Sequence, residues 1–232
     1  MKKKLVVLTG AGISAESGIS TFRTNNGLWD NHKVEDVASI EGWYRNPQLV
    51  LDFYNERRLQ LGTVKPNAAH YALAELEKEW DVTVVTQNVD NLHERAGSSR
   101  VTHLHGELMK LRSERNPNLI VPIEGWEQKM EDRAEDGALL RPHIVFFGES
   151  VPMFDRACEI AASADMMIVV GTSLAVYPAA MLVRYARAGV PVYVVDPGEP
   201  DTSMIRNPLT HIKARAAEGM PQLVESLKGC EF

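Results

Sequence analysis

Within the stretch FYNERR, Phe53 to Arg58, a phenol at Tyr54 and a guanidinium at Arg57 stand three residues apart. The apolar residues around them, Leu49, Val50, Phe53 and Leu61, keep helical spacing, so Tyr54 and Arg57 share one helix face. Such a pair can hold a carboxylate, the guanidinium supplying charge and a fork of donors and the phenol one donor more. It can equally be a solvated face on which Arg57 pairs with Glu56 or another surface acid for little gain. Arg58, the next residue, faces elsewhere and reads as structural.

Three further clusters carry groups able to do chemistry. In GAGISAESGISTFR, Gly10 to Arg23, the glycines Gly10 and Gly12 with Ala15 fit a relaxed dinucleotide loop, in which bare backbone approaches a pyrophosphate and a helix start offers N–H donors. The same glycines also fit a plain strand-to-helix turn. The acidic residue that usually ends the second strand of a dehydrogenase is missing, because that strand closes on Thr86, Gln87 and Asn88. Asp196, at the end of a later strand, has a carboxylate able to accept from sugar hydroxyls. In TQNVDNLHERAG, Gln87, Asn88 and Asp90 crowd one strand exit, and a helix N-cap accounts for only one of them. In HLHGEL, strand alternation points His103 and His105 the same way. His105 stands before Gly106, where a base can meet a ligand.

The elements that must position these groups are legible in the apolar pattern. KLVVLTGAG, DVTVVTQN, RVTHLHG, HIVFFGE, MMIVVGTS and VPVYVVDPG are continuous, β-branched runs that end in turns, which predicts strands buried on both faces. Helical patterns cover 66–80, 154–164 and 174–188, the last closed by Gly189, and a short one covers 221–227. The alternation predicts an α/β fold, a doubly wound, Rossmann-like parallel sheet with ligands at the carboxyl ends of its strands. Gly10, Gln87, His105, Gly148, Gly171 and Asp196 each follow an apolar run. Residues 113–141 break the rhythm and read as a small inserted subdomain, held by Leu119, Ile120, Val121, Ile123, Trp126, Met130, Leu139 and Leu140. The main domain is then 1–112 with 142–232.

Bulk properties narrow the function. The 232 residues, 44% of them hydrophobic, suffice for one substantial core with a small appendage. The formal charge is -6, and the only basic block is Lys2 to Lys4, so nucleic acid is not an expected partner. The apolar run Leu5 to Leu8 is too short for a secretion signal, and no stretch approaches a membrane span. Two cysteines, Cys158 and Cys230, make neither a disulfide framework nor a four-cysteine metal site. A cytoplasmic monomer is the default expectation.

GAGISAESGISTFR, TQNVDNLH, HLHGEL, FFGE and GTSLAVYPAA occur in the order found in sirtuins, and together they span Gly10 to Ala180. The chain thus resembles that family over nearly its whole length. The resemblance implies that NAD is consumed as a co-substrate: an acyl-lysine carbonyl attacks the nicotinamide ribose, nicotinamide leaves, and free lysine and O-acyl-ADP-ribose follow. It implies that His105 is the general base, Asn88 positions ribose and water, Asp90 holds the carboxamide of nicotinamide and Gln87 supports the ribose. The rest of the NAD site would be Gly10, Ala11, Gly12, Ala15, Phe22 and Arg23, then Gly171, Thr172 and Ser173, with Asp196 and Ala216. Asp196 stands where the family more often has Asn.

In sirtuins that prefer succinyl, malonyl or glutaryl lysine, a Tyr-x-x-Arg pair lies in the acyl pocket. Tyr54 and Arg57 match it, and Ala38 in HKVEDVA matches the small residue that leaves room for the longer chain. The resemblance therefore implies a protein-lysine deacylase that favours desuccinylation over deacetylation, acting on acyl-lysine proteins or peptides. Protein ADP-ribosyl transfer and a non-catalytic NAD or acyl-peptide binding module are the alternatives. Most sirtuins bind a structural zinc through four cysteines in the small module. Here that segment holds none, Ser113 stands near the place of the first, and no zinc is expected.

Overall fold

The computed structural model describes residues 2–20, 28, 29 and 31–228. Along the chain run β1 (Lys4–Thr9), β2 (Leu28–Trp29), β3 (His32–Lys33), α1 (Val34–Val37), α2 (Ile40–Arg45), α3 (Pro47–Thr63), α4 (Ala68–Leu76), β4 (Asp81–Thr86), α5 (Leu92–Ala96), β5 (Val101–His103) and β6 (Gly106–Ser113). They continue with β7 (Ile120–Pro122), β8 (Leu140–Ile144), α6 (Phe154–Ala162), β9 (Met166–Val170), β10 (Val192–Val195), β11 (Leu209–Ile212) and α7 (Ala216–Leu227).

Six strands form one wholly parallel sheet in the order β11-β10-β9-β1-β4-β5. The chain winds outward from β1 through β4 to β5, then returns to build β9, β10 and β11 on the other side. The direction of winding reverses between β1 and β9, and the crevice at such a reversal is where open α/β sheets bind ligands. Alternate residues serve opposite faces. Leu5, Val7, Val82, Val84 and Ile168 pack with Leu73 of α4 and Leu223 of α7. Val6, Leu8, Val85 and Val169 pack with Ala157 and Ala161 of α6 and with Leu182 and Val183. With both faces covered there is no polar alternation, which is why these strands read as unbroken apolar runs.

A second layer sits over the carboxyl ends. Trp43 of α2 and Leu51, Phe53 and Tyr54 of α3 pack against Leu108, Ile144 and Phe146. Asn46 caps α3 by accepting the N–H of Leu49 at 3.1 Å, and Pro47 occupies the first turn. The seventeen-residue length of α3 carries Tyr54, Arg57 and Arg58 on a rigid support. Arg58 is buried and, among the described residues, gives its donors to neutral oxygens: the Leu108 carbonyl, Asn55 and Gln128.

Several expected elements differ. HIVFFGE is not a strand of the main sheet. Its first residues end β8, which pairs with β6 in a three-stranded antiparallel sheet of order β7-β6-β8. That sheet runs from Gly106 to Ile144, wider on both sides than the segment 113–141. Leu119, Val121 and Ile123 pack around Leu111, Ala134 and Leu140, but Ile120 and Trp126 point to solvent. The helix expected over 174–188 shrinks to a 3₁₀ stretch at Ala179–Arg184. Leu174 has a positive φ of 56° and Pro178 lacks a donor, so no helix can run through them. The last helix starts at Ala216, five residues ahead of the expected Pro221, because the carboxylate of Glu16 caps its first turn from across the fold, accepting the Ala217 N–H at 2.8 Å.

The inserted sheet closes without thiolates. The Ser113 hydroxyl is buried, donates to Asp136 at 2.7 Å and accepts the N–H groups of Arg115 and Asn116, both at 3.1 Å. Asp136 in turn accepts the Ala138 N–H at 3.0 Å. This donor set does not fit a zinc ion, which wants thiolates or imidazoles in a tetrahedron. Among the described residues no group of three or more His, Cys, Asp or Glu side chains could hold a metal.

Candidate active site

A cavity of about 670 Å³ opens along the carboxyl ends of β1, β4, β9 and β10 and continues beneath α3. Its floor is the reversal between β1 and β9. Gly10 gives its N–H to the Val170 carbonyl at 3.0 Å and Gly12 to the Gly171 carbonyl at 2.8 Å, so the two strand exits lie directly on each other. A Cβ on Gly12 would come within 2.7 Å of Gly171 Cα, so only glycine permits this approach. Ala11 and Ala15 line the same floor. Thr172 and Ser173 follow, and Thr172 accepts from the Gln87 carboxamide at 3.1 Å. At the far end Asp196 is buried and accepts the Gly198 N–H at 2.8 Å, while Ala216 brings the N-terminus of α7 to the rim. Neutral backbone, hydroxyls, a helix start and a carboxylate in this order suit the phosphates and ribose hydroxyls of a dinucleotide.

The middle of the cavity holds the polar cluster. Asn88 is nearly buried and donates its carboxamide to the Gly10 carbonyl and the Ser14 hydroxyl, both at 3.2 Å. Ser14 donates to Asp90 at 3.0 Å, and Asp90 also accepts the Leu92 N–H at 3.1 Å. Burial pushes the Asp90 carboxyl up, against the pull of those two donors. His105 gives its Nδ1 hydrogen to the Gln87 carbonyl at 3.0 Å, an oxygen that can only accept. The neutral ring therefore keeps its lone pair on Nε2. Burial draws the His105 pKa below 6.5, with the Gln87 carbonyl opposing. The residue after it, Gly106, has a φ of 87°, and a Cβ there would lie 2.0 Å from the His143 carbonyl. Glycine is thus obligatory at the bend that delivers the base.

Ala38, Ile144, Phe146 and Tyr54 give the cavity an apolar part of its lining. Tyr54 is buried between Phe53 (centroids 5.2 Å apart) and Phe146 (5.9 Å), and its hydroxyl has no hydrogen-bond partner among the described residues. A buried phenol left so costs about 1–3 kcal/mol, which a ligand acceptor would recover. Burial also holds its pKa well above the ordinary value, so the phenol keeps its hydrogen.

The structure brings together Gly10, Ala11, Gly12, Ala15, Gln87, Asn88, Asp90, His105, Gly171, Thr172, Ser173, Asp196 and Ala216 with Ala38 and Tyr54. Arg57 is not among the lining residues; its guanidinium stands 5.1 Å from the Phe53 ring centre, half-buried. Phe22 and Arg23 lie outside the described residues. His103 is not among the lining residues, and β5 ends at His103, so strand alternation does not extend to His105. Ser14 and Arg215 are among the lining residues that escape notice in the sequence. Ser14, the hub joining Asn88 to Asp90, lies inside the glycine motif but looks like a spacer there. Arg215 sits at the rim before α7 and has no motif around it.

Comparison with known proteins places this geometry. Residues 10–178 match the sequence model of the Sir2 family. An NAD-dependent protein deacylase of Bacteroides thetaiotaomicron is 54% identical over 230 residues, covering 97% of this chain and 98% of that one. Among solved structures, a Sir2 homologue in complex with NAD superposes with a TM-score of 0.85 at 38% identity, covering 97% of this chain and 89% of that one. A Sir2 protein bound to an acetylated peptide gives 0.78 at 32% identity, covering 97% and 93%.

Proposed function

The chain belongs to the Sir2 family, and from that premise we propose that its preferred substrates are protein lysines whose acyl groups end in a carboxylate. Its activity is NAD-dependent deacylation of protein lysines. NAD, when bound, supplies the electrophilic ribose carbon and the nicotinamide leaving group. The remaining steps fall to the chain. The backbone from Gly10 to Gly12, with Thr172, Ser173 and the start of α7, would hold the phosphates. Asp196 would accept from ribose hydroxyls. Asp90, anchored by Ser14 and the Leu92 N–H, would orient the carboxamide of nicotinamide. His105, neutral with its lone pair on Nε2, would accept the proton of a ribose hydroxyl. Asn88, fixed by Gly10 and Ser14, would orient the sugar and the water that follows.

The observation that carries the acyl preference is the buried, unpartnered Tyr54 phenol in the lining of the cavity, which the small Ala38 also lines. An acetyl group ends in a methyl and offers that hydroxyl nothing. A succinyl group ends in a carboxylate that can accept from it, and Arg57, one helical turn along α3, would add the opposite charge. A charge-assisted bond of this kind is worth about 1.5–3 kcal/mol, or about 10- to 100-fold in rate. Steady-state kinetics on one peptide carrying acetyl- or succinyl-lysine tests this. Arg57→Met and Tyr54→Phe should lower kcat/KM for the succinyl peptide about 10- to 100-fold and change the acetyl peptide less than about 3-fold. Equal losses on both peptides would remove the carboxylate clamp.

A further inference from the structure

The turn after β4 carries Asn88 and Asp90, and its backbone is held in an unusual way. Four consecutive carbonyls are each taken by a donor from the 103–108 segment. Thr86 accepts the Leu104 N–H at 2.8 Å, and Val89 accepts the Leu108 N–H at 2.8 Å. The two carbonyls between them are taken by imidazoles. Gln87 accepts from His105 Nδ1 at 3.0 Å, and Asn88 accepts from His103 Nδ1 at 2.8 Å. His103 is itself clamped, its Nε2 lying 2.8 Å from the Glu94 carboxylate with the side chain almost wholly buried.

Both partners of His103, a carbonyl and a carboxylate, can only accept. A neutral imidazole has one N–H and would turn a lone pair toward one of them at 2.8 Å. Only the imidazolium satisfies both. His105 has one such acceptor and needs the opposite state. We propose that His103 is a positioning residue of the deacylation reaction: an imidazolium, tied to Glu94, that fixes the Asn88 carbonyl and so holds the turn presenting Asn88 and Asp90. It touches no part of the cavity and acts only through that turn. The charges around it agree. Glu94 of α5 and Glu107 of β6 favour the cation, Asp90 lies within its field, and the neighbouring His93 stays neutral. Burial works against the charge, yet the Glu94 carboxylate and Asn88 carbonyl keep the His103 pKa above 6.5.

The sign of the pH effect follows. A raised folded-state pKa means that the clamp is complete below pH 6.5 and fails as pH rises through the higher value. Kinetics on the full chain with NAD and an acyl-lysine peptide, for the wild type, His103→Phe and His103→Asn, reads this out. His103→Phe should lower kcat/KM about 10- to 100-fold, the usual cost of a small misplacement. The carboxamide of His103→Asn can still donate to the Asn88 carbonyl, so this variant should recover much of the loss. It should also lack the alkaline fall in kcat/KM expected of the wild type. The proposal rests on the role given above to Asn88 but not on acyl preference: acetyl and succinyl peptides should suffer equally, so a failed carboxylate clamp leaves it standing. Phe and Asn variants that lose activity alike, with the wild-type pH profile, would overturn it. Should His103→Phe not fold, ¹⁵N NMR of the wild type decides: both His103 ring nitrogens should be protonated at pH 6.5, and a neutral ring there overturns the proposal.

Discussion

At the scale of single residues, two histidines two positions apart are held in opposite protonation states by the number of acceptors each one meets. His105 has one, the Gln87 carbonyl, and burial lowers its pKa. A base works when unprotonated, so protonation of His105 should cost activity only as pH drops below the ordinary histidine midpoint of 6.5. The acidic limb of kcat/KM against pH is therefore expected below 6.5, and His105→Ala should remove turnover while leaving NAD binding by calorimetry within a few-fold. A variant that keeps more than a tenth of wild-type kcat would rule out His105 as the base. The sequence exposes His105 because glycine follows it at a strand exit. It cannot expose the role of His103, whose partners Asn88 and Glu94 come from two other elements. Ser14 is hidden for the same reason: its role needs Asn88, Asp90 and the chain reversal that joins them.

At the scale of elements, legibility tracks how local each cause is. The strands of the parallel sheet are plain because burial on both faces leaves a continuous apolar signature. The stretch 174–188 looks helical by composition, yet one positive φ at Leu174 and the ring of Pro178 outweigh it. The early start of α7 depends on Glu16, some two hundred residues away in sequence, and no local pattern carries it. The small antiparallel sheet raises a sharper question, since most sirtuins close this module with zinc. Here the buried Ser113 hydroxyl ties together Arg115, Asn116 and Asp136. Ser113→Ala would strand two backbone donors and lower stability by about 1–3 kcal/mol, read as a shift of the urea midpoint. Excess chelator should leave the wild-type midpoint where it is. A chelator-induced drop comparable to that of Ser113→Ala would show that a metal, not this hydroxyl, closes the module.

At the scale of the whole molecule, the sheet that builds the cavity also buries a polar network beneath it. His93 Nε2 lies 3.0 Å from the Thr9 hydroxyl, Thr9 donates to Thr86 at 2.8 Å, and Thr86 accepts the Asn88 N–H at 3.0 Å. Because Thr9 gives its hydrogen to Thr86, His93 must donate from Nε2, leaving a buried lone pair on Nδ1. His70, its ring centre 5.0 Å from that of His93, accepts the Asn67 N–H on Nδ1 and faces Ser14 through Nε2. A second proton would cost His70 the Asn67 bond and would leave His93 with a buried N–H that meets no acceptor among the described residues, and burial lowers His70 to about 4 and His93 to about 3. The unfolded chain binds protons at these histidines near 6.5 while the folded chain does not, so stability falls as pH drops below 6.5. By pH 5 each should have removed about 2 kcal/mol, since about 1.5 pH units at about 1.36 kcal/mol apply while both folded rings remain neutral. His103, with its folded pKa raised, acts in the opposite sense as pH falls through 6.5, and His105, with its pKa lowered, adds to the loss. The part that His70 and His93 contribute to the difference in urea unfolding between pH 7 and pH 5 should be about 4 kcal/mol, with about two protons taken up at these two sites on unfolding. A midpoint unchanged between the two would mean that His70 and His93 are already charged inside the fold. The hydroxyl and imidazole chain that connects the core of the sheet to Asn88 would then have to be wired differently.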